Sequence, residues 1–318
     1  MLHKAQGHKE MKNVVVIGGG HGLSTILKGI KKIDDINISA IVTVADDGGS
    51  TGRIRQRYSI PAMGDIRSVL LALSQSDHFL QELMNYRFEG SDNTDISGHS
   101  LGNLILTALT NISGSFDEAI KIIADLLKVK GKIIPSTLQY TTLYATMDDG
   151  TKVKGENNIP SLIHNIDTVF YQDKVKANPE AVEAINNADL IIYGIGSLYT
   201  SILPNTIIWG ISKALQNSNA TKVYLVNCMT QSNETYNYDL KDHLDAFKKH
   251  NTPVDLVVIH NNEIPKQILD RYARSNSIEV KNNGNCDKKV LEYDLLTFED
   301  GLVRHDSDKI RKLVESLL

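Results

Sequence analysis

Val14-Val15-Val16-Ile17-Gly18-Gly19-Gly20-His21-Gly22-Leu23-Ser24 is the stretch that decides the fold. Four consecutive β-branched residues without polar alternation describe a strand buried on both faces, the habit of parallel sheets covered by helices. The glycines end that strand, and Leu23, Ile26, Leu27 and Ile30 then recur at helical spacing. Residues 38–44 read as a second buried strand, which completes a strand-helix-strand crossover of right-handed sense.

Outward from this unit, apolar positions three and four apart predict helices over 65–74, 79–86, 101–112 and 117–127. Over 132–156 the pattern becomes alternation. Thr142, Tyr144 and Thr146 precede Asp148-Asp149-Gly150, and Lys152-Val153 follow, which predicts a β-hairpin insertion. Parallel-sheet grammar then resumes, with strands at 189–193, 223–227 and 254–260 and helices at 204–215, 240–249 and 309–318. No repeat or long linker interrupts it, so one α/β domain is expected over 12–318, behind a disordered lead-in at 1–11.

Composition narrows the function classes. The 318 residues are 41% apolar and 23% charged, with 34 Lys plus Arg against 38 Asp plus Glu, a balance that excludes disordered and fibrous chains. Cys228 and Cys286 have no metal-type spacing and suit a reduced, cytoplasmic protein. No run approaches the roughly 18 apolar residues of a membrane span. Beyond Arg53, Arg55, Arg57 and Arg67 there is no basic stripe, so no nucleic-acid partner is expected.

Chemistry gathers where strands end. Gly18, Gly19, Gly20, His21, Gly22 and Ser24 lie between the first strand and helix, where backbone N–H groups and the helix dipole receive a phosphate. The dinucleotide fingerprint fails, because Leu23 or Thr25 stands where a third glycine belongs, so no NAD is expected. Asp46-Asp47-Gly48-Gly49-Ser50-Thr51-Gly52-Arg53 ends the second strand on the same edge. Its paired carboxylates suit Mg²⁺ or a ribose diol, and Arg53 after the Gly-Ser-Thr-Gly turn suits a phosphate. Asp65 and Arg67 open a helix, where an N-cap and a surface charge would explain both. His99 and Asn103 lie at another helix start, with His99 a candidate acid, base or phosphate donor.

The second half repeats the arrangement. Gly196, Ser197, Tyr199, Thr200 and Ser201 offer phosphate donors after the strand at 189–193, and Asn227, Thr230 and Gln231 are candidate readers of a base or sugar. No nucleophile–base pair is assembled in the sequence, and Cys228 reads as a small core residue.

The segments Ile17-Gly-Gly-Gly-His-Gly-Leu-Ser24, Thr43-Val-Ala-Asp-Asp-Gly-Gly-Ser-Thr-Gly-Arg53, Gly64-Asp-Ile-Arg67, Gly98-His-Ser-Leu-Gly-Asn103, Gly196-Ser-Leu-Tyr-Thr-Ser201 and Asn227-Cys-Met-Thr-Gln231 resemble, in this order, the bacterial gluconeogenesis factor family (YvcK-like). That family stands with the 2-phospho-L-lactate transferases (CofD-like). The resemblance implies a Rossmann-like, doubly wound, mostly parallel sheet with helices on both faces. It assigns phosphate contacts to the two glycine turns, and metal or acceptor contacts to Asp46, Asp47 and Asp65. The chain departs from the family pattern at His21, where Thr is more usual, and at Ala62-Met63. The transferase relatives join a phospholactyl group from a guanosine diphosphate donor to a deazaflavin with Mg²⁺. The gluconeogenesis factors are associated with cell shape and envelope precursor supply on non-glycolytic carbon sources. The resulting expectation is a nucleotide or nucleotide-sugar binding regulator in the cytoplasm. The alternative is a Mg²⁺-dependent phosphotransferase-type enzyme. A twofold dimer is the expected assembly on general grounds.

Overall fold

In the computed structural model, which describes residues 10–89, 96–161 and 164–318, the valine run lies in β1 (Lys12–Gly18), inside a seven-stranded parallel sheet. Val14 and Val16 enter one core layer, and Val15 and Ile17 enter the other, so both faces of the strand are buried. The run carries no alternation for that reason. From β1 the chain crosses through α1 (Gly20–Ile30) to β2 (Ile36–Val42), parallel to β1 from the Lys12/Ile36 pair to the Gly18/Val42 pair. It then builds α2 (Gly49–Tyr58), α3 (Gly64–Leu73), α4 (His78–Asn85), α5 (Leu101–Ser113) and α6 (Phe116–Leu126), and returns as the edge strand β3 (Lys132–Pro135).

An antiparallel unit follows, made of β4 (Leu143–Met147), β5 (Lys152–Lys154) and β6 (Ile166–Tyr171) in the order β5-β4-β6. Building then resumes on the other side of β1. The elements there are α7 (Pro179–Asn186), β7 (Leu190–Tyr193), α8 (Leu203–Thr206), α9 (Trp209–Asn217), β8 (Thr221–Leu225), α10 (Leu240–Lys249), β9 (Leu256–His260), α11 (Lys266–Ala273) and β10 (Lys289–Tyr293). A hairpin of β11 (Leu296–Glu299) and β12 (Leu302–His305) leads into α12 (Ser307–Leu317). The large sheet has the order β10-β9-β8-β7-β1-β2-β3, so its winding reverses between β1 and β7. This is the Rossmann-like, doubly wound fold, and ligands of such sheets bind outside the carboxyl ends of the strands at that reversal.

The structure corrects three expectations about elements. Residues 132–156 are not one hairpin insertion, because Lys132–Pro135 pairs with β2 and buries Ile133 and Ile134 in opposite core layers. The inserted unit is the hairpin of β4 and β5, widened by β6. The segment after Asp47 is not a simple turn, since Gly48 caps α2, a helix of low propensity held by its buried Arg55. Finally, 204–215 is not one helix. A π-type turn at Leu198–Ile202 precedes α8, and the Asn205 amide donates to the Ser201 and Ile202 carbonyls at 2.8 and 3.3 Å, groups that a regular helix would have bonded.

Among the described residues no helix is long and apolar enough to cross a membrane. Of the expected lead-in, residues 1–9 lie outside the described part of the chain.

Candidate functional site at the sheet reversal

The carboxyl ends of β1 and β7 meet at the reversal point and are fastened to each other. Asn205 also donates to the Gly18 carbonyl at 3.3 Å, and a Cβ on Gly22 would collide with the Ile195 carbonyl. Only glycine lets the first turn of α1 press against the loop after β7. A Cβ on Gly19 would likewise meet Asp65 Oδ2, for the carboxylate of α3 reaches across to this turn and accepts the Gly20 N–H. Asp65 therefore caps the amino end of α1 and not its own helix, whose N-cap position is Met63, and Arg67 is buried, so the expected N-cap and surface charge are both corrected. Ser201 lies between the two glycine turns, with its Cβ 3.4 and 3.6 Å from the positions that Cβ atoms on Gly19 and Gly196 would take.

The second turn is occupied from within. Glu234, buried, accepts the Tyr199 N–H at 2.8 Å and also bonds Ser197 and Thr200. The amide of Asn227 clamps Gly196 in both directions, accepting its N–H at 3.2 Å and donating to its carbonyl at 2.8 Å. Gln231 donates to Ser197 Oγ at 2.8 Å, and its buried Oε1 has no hydrogen-bond partner among the described residues.

Acids converge on the space between these turns. Asp46 follows β2 and is braced by the Gly48 N–H at 2.9 Å and by Thr51; Asp47 accepts the Asn157 N–H at 2.9 Å. Glu156 enters from the segment after β5. Burial first, and then the fields of Asp46, Asp47, Glu234 and Asp65, push its carboxyl up to about 8. Burial and Asp46 push Asp65 to about 7, and burial pushes Glu234 to about 7. Burial raises Asp46 as well, against the pull of its hydrogen bonds and of Arg55. A divalent cation's charge would relieve hard oxygen donors that resist ionising side by side, although among the described residues only Asp148, Asp149 and His164 bring three ligand atoms within 4.8 Å of one another. Sequence reading missed Glu156 and Glu234. Glu234 follows Gln231 by three residues, but nothing local to Glu156 distinguishes it from a surface acid.

Other candidates are placed elsewhere or committed to the scaffold. His21 is exposed on the first turn of α1, and Ser24 Oγ donates back to the Gly20 carbonyl at 3.0 Å. The buried Arg67 donates to Asn103 at 3.1 Å and to Asn85, so Arg67 and Asn103 satisfy each other where α3 and α5 meet. The Thr230 hydroxyl accepts the Ile278 N–H at 2.9 Å, and the Tyr199 hydroxyl meets that of Tyr238 at 3.0 Å in the core. Arg53 is exposed and donates to the Ser97 carbonyl. Arg55 is the arginine that the fold buries. It donates to the carbonyls of Ala45, Asp46 and Thr141 and lies 4.8 Å from the centre of the Tyr140 ring, which fixes the loop that carries Asp46.

One contact between a hydroxyl and an imidazole is not written in the local sequence. Ser50 Oγ lies 2.7 Å from His99 Nδ1, across 49 residues of sequence.

Comparison with known proteins agrees with this fold. The model of the 2-phospho-L-lactate transferase CofD family matches residues 14–297. A Listeria innocua protein named gluconeogenesis factor is 43% identical over 318 residues, spanning 98% of this chain and 97% of that one. A Bacillus subtilis protein of the same name is 40% identical over 312 residues, spanning 96% of this chain and 98% of that one. A crystal structure of a Bacillus halodurans protein superposes with a TM-score of 0.92 at 40% identity, covering 96% of this chain and all of that one. The chain belongs to the 2-phospho-L-lactate transferase CofD family and, within it, to the gluconeogenesis factors.

Proposed function

We infer that the cleft at the sheet reversal binds a phosphate-bearing ligand of the nucleotide or nucleotide-sugar class together with Mg²⁺, and that the protein serves as a cytoplasmic regulator of cell shape and wall-precursor supply during growth on gluconeogenic carbon. The observation that carries the ligand class is the set of facing acids, Asp46, Asp65, Glu156 and Glu234, beside the glycine turn that opens α1. A cation beside Asp46, Asp65 and Glu156 would offset the repulsion that raises their proton affinity, and held there it would draw a phosphate onto the α1 turn. Asp46, Asp47 and Asp65 are the residues that would hold Mg²⁺, which would neutralise phosphate charge; the amides of the first turn would orient that phosphate. The gluconeogenic part of the reading is supported by the relatives named gluconeogenesis factor, and the cell-shape and wall-precursor part only by the resemblance of the motifs to that family.

A second reading, a transferase of the 2-phospho-L-lactate type, is supported by the family model and by the contact between Ser50 and His99. A thermal-shift screen with Mg²⁺ against nucleoside diphosphates, nucleotide-sugars, NAD and deazaflavins tests both. A ligand present at a hundredfold excess over its dissociation constant adds about 2.7 kcal/mol of stability. A selective shift with nucleotide-sugars and no turnover supports the regulator. Release of a nucleoside monophosphate on adding an acceptor supports the transferase, and no Mg²⁺-dependent shift with any phosphate compound removes the cleft assignment.

A further inference from the structure

The geometry points to Ser50 as a nucleophile activated by His99, taking a phosphoryl group from a phosphate ester or anhydride: a serine and a histidine brought to 2.7 Å at the amino end of α2, beside the acid-lined cleft. This deepens the transferase reading, on which it rests for the natural donor.

Three features separate the pair from an ordinary surface hydrogen bond. First, the residue is built in. His99 is buried, its backbone N–H donates to the Ile96 carbonyl at 3.1 Å, and its backbone carbonyl receives the Phe88 N–H at 3.1 Å. Gly98, at φ +74°, makes the turn that delivers it. Second, the ring is a base and not a cation. Burial and the neighbouring Arg53 hold it below the usual histidine range, so near neutral pH it is uncharged, and in the Nε2–H tautomer Nδ1 is the acceptor that faces Ser50 Oγ. Third, the hydroxyl is where developing charge is stabilised. The first intrahelical bond of α2 runs from Gly52 N to Gly48 O at 2.9 Å, so the N–H groups of Gly49, Ser50 and Thr51 precede it without an intrahelical acceptor. Phosphate oxygens carrying negative charge suit that end of the helix.

The step balances without a redox partner. Ser50 Oγ forms a bond to phosphorus as its proton passes to His99 Nδ1. The bond from phosphorus to the leaving oxygen breaks, and its electron pair departs with the leaving phosphate or alkoxide, which recovers the proton from His99. The product is a phosphoserine at Ser50, open to a second acceptor by the reverse chemistry.

A fluorophosphonate probe tests the nucleophile without requiring the natural donor, since the serine oxygen displaces fluoride from phosphorus. The full-length protein is incubated with the probe, its intact mass measured, and the adduct mapped by peptide sequencing. The expected result is a single adduct on Ser50, absent in Ser50→Ala and formed at least about a hundredfold more slowly in His99→Gln, the size of a lost general base. Gln can still hydrogen-bond the serine but cannot accept its proton, and matched thermal midpoints establish that both variants fold. No adduct, an adduct on another residue, or unchanged labelling in His99→Gln overturns the proposal. Calorimetry with Mg²⁺ and a nucleoside diphosphate on the same samples keeps the two readings apart: binding without labelling removes the nucleophile alone, and labelling without binding removes the cleft assignment alone.

Discussion

Glu234 accepts the backbone N–H of Tyr199 at 2.8 Å, across 35 residues, so a carboxylate of the chain itself fills the turn after β7 that by sequence reads as a place for phosphate. The two halves of the sheet repeat one motif, yet they are not equivalent. The turn after β1 is capped through a single amide by Asp65 from a neighbouring helix, whereas the turn after β7 is held at several donors by a buried acid.

Replacing Glu234 by Ala leaves the amides of Tyr199 and Thr200 buried without an acceptor. The expected cost is about 1–3 kcal/mol of folding stability, read from urea unfolding midpoints. A midpoint equal to that of the parent protein would mean that water replaces the carboxylate.

The raised carboxyls set a pH dependence. Asp65 at about 7, Glu156 at about 8 and Glu234 at about 7 exceed their ordinary values of 3.8, 4.5 and 4.5, so between those limits the folded state binds more protons than the unfolded chain. Stability is then fullest in mild acid and declines as pH rises through 7 and 8. In the presence of a chelator the melting temperature should fall between pH 5.5 and 8.5, and Mg²⁺ should restore part of the loss at pH 8.5. A flat profile would dissolve the acid cluster.

For the cation itself, Asp46→Asn and Asp65→Asn should each weaken Mg²⁺-dependent binding of a nucleoside diphosphate by about tenfold or more, a change of about 1.4 kcal/mol. Isothermal calorimetry decides this. Equal affinities in both variants would return these acids to a purely structural role.

Arg55→Lys should destabilise the fold by about 2–3 kcal/mol, because an ammonium cannot reach the carbonyls of Ala45, Asp46 and Thr141 at once. Arg53→Lys, on the exposed face of the same helix, should fall within about 0.5 kcal/mol of the parent. Paired unfolding curves separate the two arginines, and the opposite order would mean that α2 is rotated about its axis.

Gly22→Ala tests the union of the two strand ends. A methyl group there meets the Ile195 carbonyl, so a loss of about 1–3 kcal/mol in stability and weaker phosphate binding should appear together. Loss of stability with unchanged binding would separate α1 packing from the site.

What the sequence determined by itself was whatever is written in local periodicity. Val14 to Ile17 had to be a strand buried twice, Leu23 to Ile30 a helix packed on it, and the glycines and Asp46-Asp47 had to stand at strand ends, because burial and turn chemistry act on neighbours in the chain. The tertiary structure decided what depends on partners far away in sequence. Lys132–Pro135 is a strand because β2 offers it an edge, and Arg55 is buried because three carbonyls wait for it. Glu156 and Glu234 join Asp46 and Asp65 because the winding of the sheet reverses between β1 and β7 and turns the loops of both halves into one cleft. Charge repulsion, desolvation and the contact between Ser50 and His99 exist only between groups that folding has brought together, and no local pattern records them.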